Sequence, residues 1–313
     1  MYSLVTKPGV WRCGRQVTKG RDMAGGRLGF IGLGMMGMPM ALAAARAGVE
    51  VMAHDATPGR AAEFVALAGE ARGDVAGSAA EVGGACRVVV LMLPTSAHVA
   101  SVVEELAGAM QPGGLVIDMG SSVPGETRRL AGALAARGVG LIDAPVSGSV
   151  AKAKIGTLAI MVGGGDGEFA LAEPFLKTMG STLIRTGAVG SAHAMKALNN
   201  FVYAAGLLAA SEAMRLGARQ GLDLGVLTDV LNASSGRNVA TETKLRQCIL
   251  PGSYDGGFQL GLMAKDLETA GAIAAEGGYP AESLALCRQV WQRALASLGG
   301  RADNTEIHRF LPE

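Results

Sequence analysis

The sequence predicts a doubly wound α/β fold with a mostly parallel sheet, followed by an all-α C-terminal domain. Three observations carry that expectation. Short apolar runs alternate with helix-length segments from residue 27 to about 190. One run, Arg87–Leu93, is continuously apolar after its first residue, the pattern of a strand covered on both faces. Beyond Gly190 no convincing strand signal remains and long helical stretches take over.

Taken in order, Arg27–Ile31 reads as the first strand and runs through a glycine-rich turn into a helix over 35–47, which Gly48 ends. Val49–His54 gives the second strand, and Thr57-Pro58 opens another helix. After the Arg87–Leu93 strand, Ser96 begins a helix that Pro112-Gly113-Gly114 stops, and Leu115–Asp118 is strand again. Pro124 opens the next helix; Val139–Asp143 and Leu158–Gly163 are the last strands. Strands alternating with helices of this length imply right-handed crossovers and a mostly parallel sheet. Ala192–Gly217 reads as one long helix, with others near 223–232, 238–249, 261–276 and 280–298.

Composition narrows the functional classes. Across 313 residues, 28 Lys and Arg balance 27 Asp and Glu, so there is no electrostatic footprint for nucleic acid or an anionic membrane. The apolar fraction of 49% is that of a globular chain, and 4% aromatics leave little for stacking on single strands. Leu28–Ala45 carries no charge, but four glycines and Pro39 make it strand, turn and helix rather than a membrane span. The four cysteines (Cys13, Cys86, Cys248, Cys287) form no C-x-x-C pair and the four histidines no H-E-x-x-H. No disulfide framework and no metal site are expected, and a reducing cytoplasm is. Residues 1–26 hold five basic residues against Asp22 with no apolar core, so they read as a disordered extension rather than a secretory signal, with Met23 as a second candidate start.

The turn Gly32-Leu33-Gly34-Met35-Met36-Gly37 lies between strand and helix, and Asp55 ends the second strand 18 residues later. This spacing is a dinucleotide fingerprint of Rossmann type. Gly32 permits the tight turn, Gly34 lets a pyrophosphate approach the backbone, and Gly37 lets the helix pack on the sheet. Helix N–H groups then meet the phosphates. A carboxylate at Asp55 accepts ribose hydroxyls and repels a 2′-phosphate, so NAD is expected, with NADP not excluded. Arg60 is read as a solvated helix-face charge. The division expected is a dinucleotide-binding domain over 27–190 and a helical substrate and oligomerisation domain over 191–313.

Lys196 is the only formal charge between Arg185 and Glu212, and its flanks are Ala194, Met195, Ala197 and Leu198. Asn200 follows at i+4, so both side chains share one helix face. An ammonium there can stabilise charge on an alcohol oxygen and exchange the hydroxyl proton, while a hydride acceptor alongside takes the hydride. His193 is read as a capping or packing residue, Asp143 as a loop-ordering one, Cys86 as a small hydrophobe, and the 15 methionines as core filler.

Several motifs, in order, resemble the β-hydroxyacid dehydrogenase family over about 27–300. They are Gly-Phe-Ile-Gly-Leu-Gly-Met-Met-Gly (29–37), Leu-Pro-Thr-Ser (93–96), Asp-Ala-Pro-Val-Ser-Gly (143–148) and Gly-Thr-Leu-Ala-Ile-Met-Val-Gly-Gly (156–164). Lys196 with Asn199-Asn200, Ser-Ser-Gly-Arg (234–237) and Met-Ala-Lys-Asp-Leu (263–267) complete the set. The resemblance implies that Leu93, Pro94, His98 and Ser121 contact the cofactor, and that Ser147 and Gly148 hold a substrate carboxylate. It further implies Lys196 as the catalytic lysine, Asn200 as its orienting partner, and Lys265 as a closing contact near the nicotinamide. Two departures fall in substrate-facing segments: Gly120-Ser121 replaces Ser-Thr, and Ser147-Gly148-Ser149 replaces Ser-Gly-Gly. Ser149 thereby adds a hydroxyl to the substrate set.

The implied activity is NAD(P)-linked hydride transfer between the cofactor and a small 3-hydroxy acid or semialdehyde of the 3-hydroxyisobutyrate type. Oxidation of a sugar acid such as threonate and reduction of tartronate or succinate semialdehyde are alternatives. Imine reduction is more remote, because relatives doing it usually replace the lysine. A nucleotide sensor without turnover would have little use for Lys196 and Asn200 on one face. An active site between the domains is expected, and a homodimer or homotetramer follows from the family and the long apolar helix.

Overall fold

A computed structural model describes residues 26–70 and 72–312. The extension expected over 1–26 lies outside the described residues except for Gly26. The first half builds a nine-stranded sheet. Its strands are β1 (Leu28–Ile31), β2 (Val51–His54), β3 (Gly73–Val75), β4 (Val88–Leu91), β5 (Leu115–Asp118), β6 (Gly140–Asp143), β7 (Val146–Ser147), β8 (Leu158–Gly163) and β9 (Gly180–Gly187). The spatial order is β3-β2-β1-β4-β5-β6-β8-β7, with β9 also on β8. From β3 to β6 every pairing is parallel; β8 is antiparallel to β6 and β7, and β9 is parallel to β8. The order reverses between β1 and β4, and such a switch point opens a crevice beyond the carboxyl ends of the strands.

The crossover helices are α1 (Gly37–Arg46), α2 (Arg60–Ala68), α3 (Ala79–Ala85), α4 (Ser96–Ala109), α5 (Pro124–Ala135), α6 (Val150–Lys154) and α7 (Asp166–Met179). They cover both faces of the sheet, and β4 divides its residues between them. Val88 and Val90 join the core of Phe30, Met40, Phe64 and Phe175, whereas Val89 and Leu91 join that of Val82, Val103 and Leu106. Apolar residues at every β4 position follow from this two-sided burial.

A third core belongs to α8 (Ser191–Arg219), α9 (Leu224–Ala233), α10 (Leu260–Glu276), α11 (Glu282–Leu298) and the short α12 (Ile307–Phe310). It gathers around Trp291, Leu207, Met214, Leu245 and Leu267. The helix expected over 238–249 is present as Ala240–Ile249 but winds as a π-helix, closing with Leu250 N–H donating to the Leu245 carbonyl at 2.8 Å. Three strands carried no readable apolar pattern, of which β7 is only two residues long. β3 is three residues long, and β9 (Gly-Ser-Thr-Leu-Ile-Arg-Thr-Gly) is a largely exposed edge strand. No helix among the described residues is long and apolar enough to cross a membrane.

Candidate active site

The glycine-rich turn joins β1 to α1 and has a built shape. Gly32 has φ +97°, and a Cβ on it would collide with the Met92 carbonyl oxygen; a Cβ on Gly37 would collide with the carbonyl oxygen of Gly32. At Gly34, by contrast, a Cβ would meet nothing within 4 Å. The loop is thus tight on the protein side and open on the outer side, where Met35 is exposed. Among the described residues the N–H groups of Gly34, Met35 and Met36 have no protein acceptor. Open space and free donors at a helix start fit a pyrophosphate.

Asp55 locks this turn. Its Oδ2 accepts from the Leu33 N–H (2.6 Å) and its Oδ1 from the Thr57 N–H (2.7 Å). Burial raises its pKa, but the two N–H groups and Arg60 outweigh that, and the carboxyl stays below its ordinary value. Arg60 is not a free charge: it donates to the Leu33 carbonyl (2.9 Å) and pairs with Glu63 (2.7 Å).

The remaining carboxyl-end loops approach the same crevice, and α10 straps two of them. Lys265 Nζ donates to the carbonyls of Ser121 (2.8 Å), after β5, and Pro94 (3.3 Å), after β4. Beside it, the buried Asp266 accepts from Ser121 Oγ (2.6 Å) and from Asn200 Nδ2 (2.5 Å). Three expected site residues, Ser121, Asn200 and Lys265, therefore meet at a fourth that sequence reasoning passed over. Its signal was present in Met-Ala-Lys-Asp-Leu, but only the lysine was singled out. Lys196, one turn before Asn200 on α8, is partly buried. Burial lowers its pKa, the Asp266 carboxylate pulls it back up, and Lys265 adds to the lowering.

A second buried network sets where α8 begins. Asp143, at the end of β6, accepts from the N–H groups of Gly190 (2.6 Å) and His193 (2.8 Å). The His193 ring bonds Thr127 Oγ1 through Nδ1 (2.9 Å), while its Nε2 lies 3.8 Å from Asp118 Oδ2 without a hydrogen bond. Asp118 in turn accepts from the Gly120 N–H and the Ser122 hydroxyl. Asp143 and His193 thus order and pack, and Cys86 is buried with its thiol pushed up to about 11.

The other expected residues sit apart from the Asp266 cluster. Leu93 packs beside Gly32. His98 is exposed and bonds Thr95 Oγ1 (2.6 Å) in the first turn of α4. Ser147 pairs with Ala159, Gly148 turns at φ +140°, and exposed Ser149 precedes α6 with no side-chain capping bond. Among the described residues no direct polar contact joins this loop to Lys196.

Residues 27–189 match a family described as the NAD binding domain of 6-phosphogluconate dehydrogenase. Residues 190–311 match the NAD-binding region of NADP-dependent 3-hydroxyisobutyrate dehydrogenase. The chain belongs to the β-hydroxyacid dehydrogenase family. Within that family it is 33% identical to 2-(hydroxymethyl)glutarate dehydrogenase of Eubacterium barkeri over 90% of this chain and 93% of that protein. It is 38% identical to human mitochondrial 3-hydroxyisobutyrate dehydrogenase over 56% of this chain, an alignment spanning about half of that protein (54%). The structure of Mycobacterium tuberculosis 3-hydroxyisobutyrate dehydrogenase with L-serine superposes with a TM-score of 0.85 at 31% identity, covering 92% of this chain and 99% of that one. As a β-hydroxyacid dehydrogenase, the chain transfers hydride between a nicotinamide dinucleotide, NAD(P), and a small hydroxy acid.

Proposed function

We propose that the chain oxidises a small 3-hydroxy acid of the 3-hydroxyisobutyrate type with NAD, and that Lys196 manages the proton of the substrate hydroxyl. The observation that carries this is the placement of Lys196 beside Asn200 and Asp266, with burial lowering its pKa. When bound, the nicotinamide supplies the hydride acceptor. The neutral amine of Lys196 takes the hydroxyl proton, and the resulting ammonium offsets charge on the carbonyl oxygen in the reverse direction. Asn200 spends one N–H on Asp266 and accepts from Asn199 at its oxygen (3.1 Å), which leaves one N–H to orient the substrate oxygen.

Ser147 and Gly148 receive the substrate carboxylate in this reading, and Ser149 adds a hydroxyl for a further polar group of the substrate. Gly32, Leu33, Gly34, Met35, Met36 and Gly37 cradle the pyrophosphate, with Asp55 on the adenosine ribose. Leu93, Pro94, His98, Ser121 and Lys265 border the rest of the cofactor. NAD is favoured over NADP because Asp55 stays ionised and Arg60 is engaged with Leu33 and Glu63. Residues 27–190 supply most of the cofactor site and the carboxylate loop, and residues 191–313 supply Lys196, Asn200 and the surface for assembly. Exposed Met195, Leu198, Val202 and Leu216 on α8, with Val226 and Val230 on α9, support a homodimer or homotetramer. The buried free thiols of Cys86, Cys248 and Cys287 suit a reducing cytoplasm.

Absorbance in the NADH band, read with a panel of hydroxy acids and both cofactors, tests the proposal. Turnover of a 3-hydroxy acid with NAD is expected. Turnover with an amine or imine alone, or none with any acid, would overturn it.

A further inference from the structure

The loop that precedes α6 holds a cation that neither the fold nor the chemistry above uses. β7 is pinned on β8 by Val146 opposite Ile160 and Ser147 opposite Ala159. The chain then turns at Gly148, and Lys152 stands in the first turn of α6. Helical side chains lean back toward the N-terminal end, so a first-turn residue covers the loop before it. The contacts follow that rule: a Cβ on Gly148 would lie 3.1 Å from Lys152 Cδ and 3.3 Å from its Cβ. The lysine stem is laid over Gly148, and only the ammonium extends beyond it.

That ammonium has no hydrogen-bond or ion-pair partner among the described residues. No Asp or Glu occurs from residue 144 through residue 165 to neutralise it. The neighbouring Ser149 is exposed, and its hydroxyl makes no capping bond. Lys154 differs. It sits two residues on, about 200° round the helix, and its side chain is not among the nearest neighbours of Gly148. An exposed, unpaired lysine adds little to stability. Its fixed stem and free head instead give the loop a directed positive charge.

We infer that Lys152 selects a hydroxy acid bearing a second carboxylate. The inference rests on the reading above in which Ser147 and Gly148 receive the first carboxylate. The first is held by backbone and hydroxyl donors, and the second, carried on the substituent of the hydroxy acid, meets the Lys152 ammonium. A lone ammonium matches a singly charged carboxylate. Ser149 supplies a further donor beside it. A dicarboxylic 3-hydroxy acid is therefore the substrate class.

Two measurements on the full chain, in wild type, Lys152→Met, Lys152→Arg and Lys154→Met, test this. The first is calorimetric binding of glutarate and butyrate to the protein with NAD present; neither acid carries the hydroxyl that reacts. The second is kcat/KM for 2-(hydroxymethyl)glutarate against 3-hydroxyisobutyrate. Wild type is expected to prefer the dicarboxylate in both. Lys152→Met should cut each preference at least about tenfold, the size of one charge-assisted hydrogen bond. Lys152→Arg should keep most of it, and Lys154→Met should match wild type.

An unchanged preference in Lys152→Met, an equal loss on both acids, or no binding of glutarate would overturn the inference. Lys152-dependent preference for glutarate in a protein that oxidises neither hydroxy acid would instead remove the proposed reaction and leave the Lys152 assignment standing. Turnover of both acids with a Lys152-independent ratio would do the reverse.

Discussion

A carboxylate as deeply buried as Asp266 needs donors around it, and here Ser121 and Asn200 donate to it while the Lys265 ammonium lies 3.8 Å away. Its charge opposes the effect of burial on Lys196, and that gives a signed prediction. Asp266→Asn removes the opposing charge, so the lysine pKa falls further. The alkaline-rising limb of the oxidation rate should then move to lower pH, alongside any loss of kcat. A limb that stays in place would uncouple the two residues. At Asp55, which already grips Leu33 and Thr57, Asp55→Ala should raise efficiency with NADP relative to NAD as repulsion of the 2′-phosphate is lost. A wild-type preference for NADP would refute this role and turn attention to Arg60. Ser149, exposed and uncapped, is expected to let a polyhydroxylated acid such as threonate or glycerate be used at least as well as 3-hydroxyisobutyrate. The ratio of the two efficiencies should fall in Ser149→Gly; an unchanged ratio would dismiss the hydroxyl.

At the scale of elements, α8 matters because its first turn fixes where Lys196 stands. Asp143 accepts two N–H groups there, so Asp143→Ala leaves both buried donors unpaired. A loss of about 2–4 kcal/mol in denaturant unfolding is expected, and a loss below about 0.5 kcal/mol would deny the capping role. The same elements explain what could be read in advance. Leu115–Asp118 and the start of the helix at Pro124 are found where the sequence places them, because two-sided burial and an N-terminal proline leave local marks. β9 left none: its residues are mostly exposed, and its pairing is fixed by β8, a tertiary partner. Lys196 was legible as a lone charge in an apolar helix. Asp266 stood in a quoted motif, but what it contacts was not legible, because its partners lie 66 residues away on α8 and 145 away after β5.

For the whole molecule, the strap from α10 across the loops after β4 and β5 joins the helical half to the sheet at the cofactor crevice. Function there is set against stability. The pKa of Lys196 is lower folded than unfolded, so between the two values the unfolded chain binds more protons and stability rises with pH. Below that window the full cost of the buried charge remains. Lys196→Met should therefore raise Tm at neutral pH while abolishing turnover, and a lowered Tm would contradict the burial argument. The central claim is that Lys196 performs the proton chemistry of an NAD-linked hydroxy-acid oxidation. Its most direct test is Lys196→Ala, with steady-state turnover of a 3-hydroxy acid and NAD affinity measured on the same folded sample. Turnover should fall by at least about a hundredfold, the lower end of acid–base contributions, while NAD binding stays near wild type. Near-normal turnover in the folded variant would contradict the account.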